Sequence, residues 1–303
     1  MKQNIVVVGS SNTDMVIKTD RLPRPGETVL GGTFFMNPGG KGANQAVAVA
    51  RLDGKVKFIC KTGNDVFGDQ SKLLFAKEGI DTSYVFTDAI RPSGVALITV
   101  DSDAENCIAV ASGSNANLLP GDISEAREAI EKADIILMQL EIPIDTVKYV
   151  SNIARELNKK VILNPAPAHP LDNELLESLY MITPNETEAE MISGIKITDV
   201  DSVYNCARAI YNKGVGSVII TLGAKGAFLY NNVFREFIPS YEVNALDSTA
   251  AGDIFNAALA VAVSEECNLP DAIRFANKAA AISVTRLGAQ SSAPYRHEVD
   301  IFV

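Results

Sequence analysis

Histidine is scarce in this chain: two in 303 residues, His169 and His297. The first lies in the proline-rich PAPAHPLD and the second in the charged tail YRHEVD, settings that suit surface side chains better than catalysts. GxSxG, HExxH and GxGxxG are all missing, and Gly40-Lys41 is followed by another glycine, which breaks the Walker A pattern. Hydrolase-triad, zinc-peptidase and simple dinucleotide-binding readings therefore lose their usual supports. Cysteine is sparse too. Cys60, Cys107, Cys206 and Cys267 are scattered with no CxxC, which predicts buried free thiols in a reducing compartment rather than a disulfide framework. Basic charge is short, with 27 Lys and Arg against 37 Asp and Glu and a formal net charge of −10. Duplex nucleic acid and anionic membranes both demand dense Lys/Arg, so neither is expected as a partner. A local anion site stays open, because exposed charges are screened beyond about 8 Å. No apolar run approaches the roughly 18 residues of a membrane helix. The opening MKQNIVVVGSS has an apolar run too short for the core of a signal peptide. The expectation is a cytoplasmic protein.

What the chain does contain is an ordinary globular balance, 47% hydrophobic and 21% charged. NIVVVG, VKFICKTG, ADIILMQLE, KKVILNPAP, SLYMITPNE and VGSVIITLG read as strands, several continuously apolar at their centres as in strands buried on both faces. Between them Val147, Val150, Ala154 and Leu157 share one helical face, as do Val200, Val203, Ala207 and Ile210. This alternation predicts an α/β three-layer sandwich with a mostly parallel central sheet and helices on both faces. Two stretches, 13–40 and 91–113, break the rhythm and read as hairpin material, the second turning through DSDAEN. With no linker or repeat in view, the chain is expected to form a single domain over 1–303. A small β-sheet lid is expected from about 13–38 and 90–112.

In open parallel sheets, ligands collect at the carboxyl ends of strands, and the notable residues fall mostly in loops there. In STAAGDIF a helix starting near Gly252 would present unpartnered N–H groups and about half a positive charge. Small residues at 250–252 would let a phosphate approach, with Asp253 in the first turn beside it. The plainer reading is an acid favouring a helix N-terminus, worth about 0.3–1 kcal/mol. NPGGKGANQAVAVA is a second such loop, with Lys41 and Asn44 as directional donors, or simply a glycine turn with tight alanine packing. GSSNTDM offers Asn12 and Asp14, or an Asx turn. QLEIP places Glu141 after a buried strand, where a lone carboxylate is costly. In NETE, Asn185 and Glu188 suit an aquated magnesium or a helix cap equally. TLGAKGAF suits nucleotide phosphates or a turn.

Taken in order along the chain, these stretches resemble the ribokinase family of sugar kinases, over essentially the whole length. NPGGKGANQA and DSTAAGDIFNAAL resemble its two signature regions, and QLEIP, NPAPA, NETE, TLGAKG and VTRLGAQSS resemble further family stretches. The resemblance implies ATP-dependent phosphorylation of D-ribose at O5, giving ribose 5-phosphate and ADP. Rivals are another neutral sugar (2-deoxyribose, fructose), a nucleoside, or a catalytically silent sugar sensor. The resemblance implies Asp253 as catalytic base and Ala250, Ala251 and Gly252 as an anion hole; the wider family usually has glycine where Ala250 stands, and alanine is also the ribokinase-like choice. It places ribose against Asn12, Asp14, Gly40, Lys41, Gly42, Asn44 and Glu141. Three carboxylates there suit a neutral polyol better than a sugar phosphate. ATP is implied along Thr221, Gly223, Ala224, Lys225 and Gly226, with Asn185, Gly252 and Asn277 beside it and Glu188 near the water shell of Mg²⁺. K⁺ is implied beside the anion hole, held by Asp247, Thr249, Ser283, Arg286, Gly288 and Ser292, mostly through backbone carbonyls. A homodimer through the lid is implied as well, hiding Phe34, Phe35 and Ile98.

Overall fold

The computed structural model describes residues 4–103 and 105–302. Its strands are β1 (Asn4–Val8), β2 (Asn12–Lys18), β3 (Thr33–Gly39), β4 (Lys55–Gly63), β5 (Asp81–Asp88), β6 (Gly94–Val100) and β7 (Asn106–Ala111). They continue with β8 (Ile135–Met138), β9 (Lys160–Leu163), β10 (Met181–Ile182), β11 (Val218–Thr221), β12 (Ala227–Tyr230) and β13 (Arg235–Ile238). Nine form one sheet in the order β13-β12-β11-β10-β9-β8-β1-β4-β5, parallel except for the β11–β12 and β12–β13 pairs. From β1 the chain winds out to β4 and β5. It then returns to β8 and winds the other way through β9, β10 and β11. The crevice between β1 and β8 is thus where the strand order reverses, the place where open α/β sheets hold their ligands.

Alternation along the strands explains the two-sided core. Ile5 and Val7 belong to the core on the side of helices Lys41–Arg51, Ala251–Ser264 and Leu269–Val284, while Val6 and Val8 belong to the core on the side of helices Arg127–Lys132, Ile144–Glu156 and Val200–Tyr211. Each such side chain, fully buried, contributes about 1.5–3 kcal/mol. Helix Ala251–Ser264 is buried on every side from Asp253 to Ser264, and its alanines let it pack closely between its two neighbours. Val147, Val150 and Ala154 face the core as predicted, as do Val203, Ala207 and Ile210, whereas Val200 is exposed. It is the first residue of its helix, after the capping Asp199. Cys60 and Cys206 are buried free thiols, but Cys107 and Cys267 are exposed. Cys107 sits on the outermost strand of the small sheet, which corrects the expectation for two of the four. Both histidines are exposed. Among the described residues, no helix is long and apolar enough to cross a membrane.

The two irregular stretches do form a separate sheet, ordered β3-β2-β6-β7. β2–β3 and β6–β7 are antiparallel and β2–β6 is parallel. In the DSDAEN turn, the Asp101 carboxylate accepts from the N–H groups of Asp103 and Glu105; Ala104 lies outside the described residues. The register sets Asp14 opposite Asn37 and Ala96, and Val16 opposite Phe35 and Ile98, so these side chains share a face. Phe34 pairs with Ile17 and points to the other face, where Ile17, Phe34, Met36 and Leu97 are all exposed. Phe34 therefore lies on the opposite surface from Phe35 and Ile98.

Candidate active site

Five neighbouring parallel strands end at one cleft. β1 delivers Gly9–Ser11, β8 delivers Gln139–Glu141, β9 delivers Asn164, β10 delivers Thr183–Asn185, and β11 ends in Thr221. Helices Lys41–Arg51 and Ala251–Ser264 point their N-termini at the same place. The cleft has a volume of about 240 Å³ and is lined by Lys41, Thr183, Asn185, Glu188, Thr221 and the stretch from Ala250 to Asp253.

The helix start is bared as its small residues allow. Ala250 caps it in the left-handed region, φ 60°. The Ala251 N–H closes a turn on Ser248 O at 3.2 Å, and those of Ala250, Gly252 and Asp253 meet no acceptor among the described residues. A Cβ at Gly252 would meet nothing within 4 Å. Here is a set of donors carrying the positive end of a helix dipole, open to an anion.

Asp253 is 5% exposed. Its Oδ2 accepts from Asn44 Nδ2 at 2.9 Å and its Oδ1 from Gln45 Nε2 at 3.0 Å. Burial raises its pKa, opposed by the Lys41 charge and by those two amide donors. Lys41 is held firmly cationic, first by Asp253 and, against its own desolvation, by Glu141, Glu188 and Asp14. Beside Lys41, Glu141 Oε2 accepts from Ser10 Oγ at 2.5 Å and from the Lys41 N–H at 3.0 Å. Asp14 is raised to about 6 by burial, then by the Glu141 and Asp253 charges, with Lys41 opposing. Asn12 is buried and its Oδ1 accepts from Asn115 Nδ2 at 2.7 Å. Asn44 Oδ1 is a buried acceptor with no donor.

The glycines of this side are required by close approach. Gly40 turns at φ 88°, where a Cβ would fall 2.7 Å from Asn12 N, and a Cβ at Gly42 would fall 2.5 Å from Ser10 N. A Cβ at Gly39 would lie 2.2 Å from Asp14 Oδ2.

On the far side, Asn185 and Glu188 form a reciprocal cap, each side chain taking the other's backbone N–H at 2.8 and 2.9 Å. Glu188 is nevertheless in the cleft, its pKa raised by desolvation. Gly223, Ala224 and Lys225 form the exposed turn between the antiparallel β11 and β12. Gly226 closes that turn at φ 98°, where a Cβ would strike Ile238 O. Asn277 is buried and donates to Ile238 O and Pro239 O, so its amide braces this corner. Asp247 joins two loops, its oxygens accepting from the N–H groups of Thr249 at 2.9 Å and Gly288 at 2.8 Å. Its burial is outweighed by these bonds, which hold it below the usual carboxylate range. Ser283 and Ser292 turn their hydroxyls onto Ala280 O and Ala289 O, and Arg286 pairs with Glu298. Those three side chains thus serve the protein itself, and only main-chain groups there stay available.

Sequence reasoning passed over Ser10, Gln45, Asn115, Gln139, Asn164 and the cleft-lining Asn256, whose Nδ2 donates to Gly252 O at 2.8 Å. The signal was present for two of them. Gln45 and Gln139 interrupt apolar runs, ANQAVAVA and ILMQLE, and a polar side chain in a buried run must find a partner.

Similarity to characterised proteins agrees with this geometry. The chain is 45% identical to the ribokinase of Haemophilus influenzae over 298 residues, 98% of this chain and 97% of that one. It is 37% identical to the deoxyribokinase of Salmonella typhi, covering 96% and 95%. The structure of Arabidopsis thaliana ribokinase complexed with ribose and ATP superposes with a TM-score of 0.92 at 32% identity, covering 99% of this chain and 98% of that one. The family model described as pfkB family carbohydrate kinase matches residues 2–296, and the chain belongs to that family.

Proposed function

We propose that this chain is a ribokinase, transferring the γ-phosphoryl group of ATP to O5 of D-ribose. The observation that carries the reading is the meeting of three things at one cleft: unpaired N–H groups at a helix start, a buried carboxylate beside them, and a lysine that this carboxylate, Glu141, Glu188 and Asp14 hold cationic. Asp253 takes the proton of the sugar hydroxyl as that oxygen bonds to phosphorus and the bond to the ADP oxygen breaks. Phosphoryl transfer spreads charge over the equatorial oxygens, so the N–H groups around Ala250, Ala251 and Gly252, together with Lys41, supply most of the stabilisation. Asn12, Asp14, Asn44 and Glu141 receive the sugar. The unmet Asn44 Oδ1 fits a hydroxyl donor, and each hydrogen bond to a carboxylate contributes about 1.5–3 kcal/mol.

ATP lies on the far side of Asp253, along Thr221 and the turn Gly223–Gly226, with Asn185 and Asn277 beside it. Mg²⁺ fits as a companion of the nucleotide. Four carboxylates (Asp14, Glu141, Asp253, Glu188) face one lysine, so a polyphosphate needs added positive charge. No group of three or more His, Cys, Asp or Glu among the described residues forms a metal cage. Glu188 would therefore hold the ion through water, and the ion would there neutralise charge on the transferred group. K⁺ would sit beside the loops joined by Asp247, near an acid held ionised, with main-chain carbonyls of Thr249, Ser283, Arg286, Gly288 and Ser292 as its proposed ligands.

In this reading 1–303 is one domain, the small sheet is its lid, and the protein is cytoplasmic. The exposed outer face with Ile17, Phe34, Met36 and Leu97 suits pairing with a second copy. A coupled ADP-release assay over ribose, 2-deoxyribose, fructose and adenosine tests the substrate. Ribose should give the highest kcat/KM; preference for another of the four rejects the assignment. The 37% identity to a deoxyribokinase makes 2-deoxyribose the runner-up.

A further inference from the structure

Behind Asp253 lie two glutamines that the reading above leaves idle. Gln45 and Gln139 are both 0% exposed. Gln139 Nε2 donates to Gln45 Oε1 at 2.5 Å, and Gln45 Nε2 donates to Asp253 Oδ1 at 3.0 Å and to Asn164 Oδ1 at 3.1 Å. Gln139 Oε1 meets no donor and lies against Gly9, where a Cβ would fall 2.1 Å from it.

The sense of this chain follows from charge. A primary amide donates at one end and accepts at the other, whereas an ionised carboxylate only accepts. Gln45 must therefore meet Asp253 with its nitrogen; reversed, it would press a carbonyl oxygen on an anion. That turns Gln45 Oε1 towards Gln139, which must answer with Nε2 and strand its own oxygen. Turning Gln139 end for end would set two carbonyls together and relieve nothing. A buried acceptor left unmet is a cost, and here it is the far end of a polarised row whose near end is the base.

We propose that Gln45 and Gln139 are positioning residues for phosphoryl transfer: Gln45 holds Asp253 ionised and aimed at the cleft, and Gln139 fixes the sense of the Gln45 amide. The proposal rests on the reading of Asp253 as the base. Because the amide stabilises the anion, its loss raises the Asp253 pKa and moves the acidic limb of the rate profile to higher pH. A packing role would leave that limb in place.

The test uses Gln45→Met, Gln139→Met and the double variant, which keep most of the side-chain volume and remove the amides. The Asp253 carboxyl is titrated by ¹³C NMR in sugar-free protein, assigned with Asp253→Asn, and kcat and KM for ribose are followed against pH. Gln45→Met should raise the Asp253 pKa by about one and lower kcat about tenfold on the acidic side. Its ribose KM should move less than about threefold. Gln139→Met should act in the same direction and less strongly. The double variant should be no worse than Gln45→Met, since Gln139 works through Gln45. An unmoved Asp253 titration in folded Gln45→Met, or costs that multiply in the double variant, overturns the proposal. If Gln45→Met does not fold, an unmoved titration in Gln139→Met does so alone. A wild-type protein that titrates as described yet forms no ADP with any sugar overturns the proposed function and leaves this inference standing.

Discussion

Asp14→Asn should give a more stable protein and a poorer enzyme. Burial first, then the Glu141 and Asp253 charges, hold the Asp14 carboxyl at about 6 against an ordinary value of 3.8. A rise of about two in pKa means the ionised form is disfavoured in the folded chain by roughly 3 kcal/mol relative to the unfolded one. Asp14 is only partly buried, so solvent screening leaves about 1–3 kcal/mol. Above pH 6 the carboxyl is charged in both states and this stability is missing. As the pH falls from about 6 to 3.8 the folded chain takes up the proton first and recovers it. Asparagine is neutral throughout. Urea unfolding should therefore show Asp14→Asn ahead of wild type by about 1–3 kcal/mol at pH 8 and level with it below pH 4. Losing a charged acceptor for a sugar hydroxyl should meanwhile lower kcat/KM for ribose about 10- to 100-fold. A variant no more stable than wild type at pH 8, or an advantage that persists at pH 4, would refute the reasoning.

The other expectations concern the two sides of the cleft. Asp253→Asn should lower kcat by about 10²–10⁴ while leaving the fold intact. The wild-type acidic limb should lie above the ordinary carboxylate range, because burial raises Asp253, and should vanish from the residual activity of the variant. A variant that keeps the limb assigns it to another group. Ala250→Gly should keep turnover within about threefold, since glycine adopts φ 60° without strain. Ala250→Val, β-branched at positive φ, should lose at least about 1–2 kcal/mol in denaturant titrations, and most of its activity; equal behaviour of the two would remove the backbone argument. Gly39→Ala places a Cβ against the Asp14 carboxylate, and steady-state kinetics should show ribose KM rising about tenfold with ATP KM steady. A parallel rise in both would point to general damage instead.

Much of the architecture was readable because the buried strands announce themselves. The centres of NIVVVG and VIIT are apolar on both faces, and both lie inside the sheet. β5 was not readable. Its DTSYVFTD is half polar because it is the sheet's edge and pairs only with β4. β12 and β13 follow a tight turn and run antiparallel, which the βαβ rhythm does not foretell. At the site, residues beside glycine loops or at helix starts could be found from local chemistry, Asp253 above all. Asn115, Gln45 and Gln139 could not be assigned partners, since their bonds cross 94 to 208 residues of sequence. The face of the small sheet was lost for a simpler reason. Side chains alternate with a period of two, so Phe34 and Phe35 cannot share a surface.

β2 has a consequence for how the protein moves. It leaves the β1 loop carrying Asn12 and Asp14 and continues without a break as the spine of the small sheet, bonded to β3 on one side and β6 on the other. In the proposed reading, no separate hinge arm stands between the residues assigned to the sugar and the strand that would swing over it. If the small sheet is a lid, whatever grips the polyol would also tow the cover, and occupancy and closure would draw on one free-energy change. Tight sugars should shut the site more completely, and a strand made rigid in its open posture would weaken sugar affinity while sparing the nucleotide.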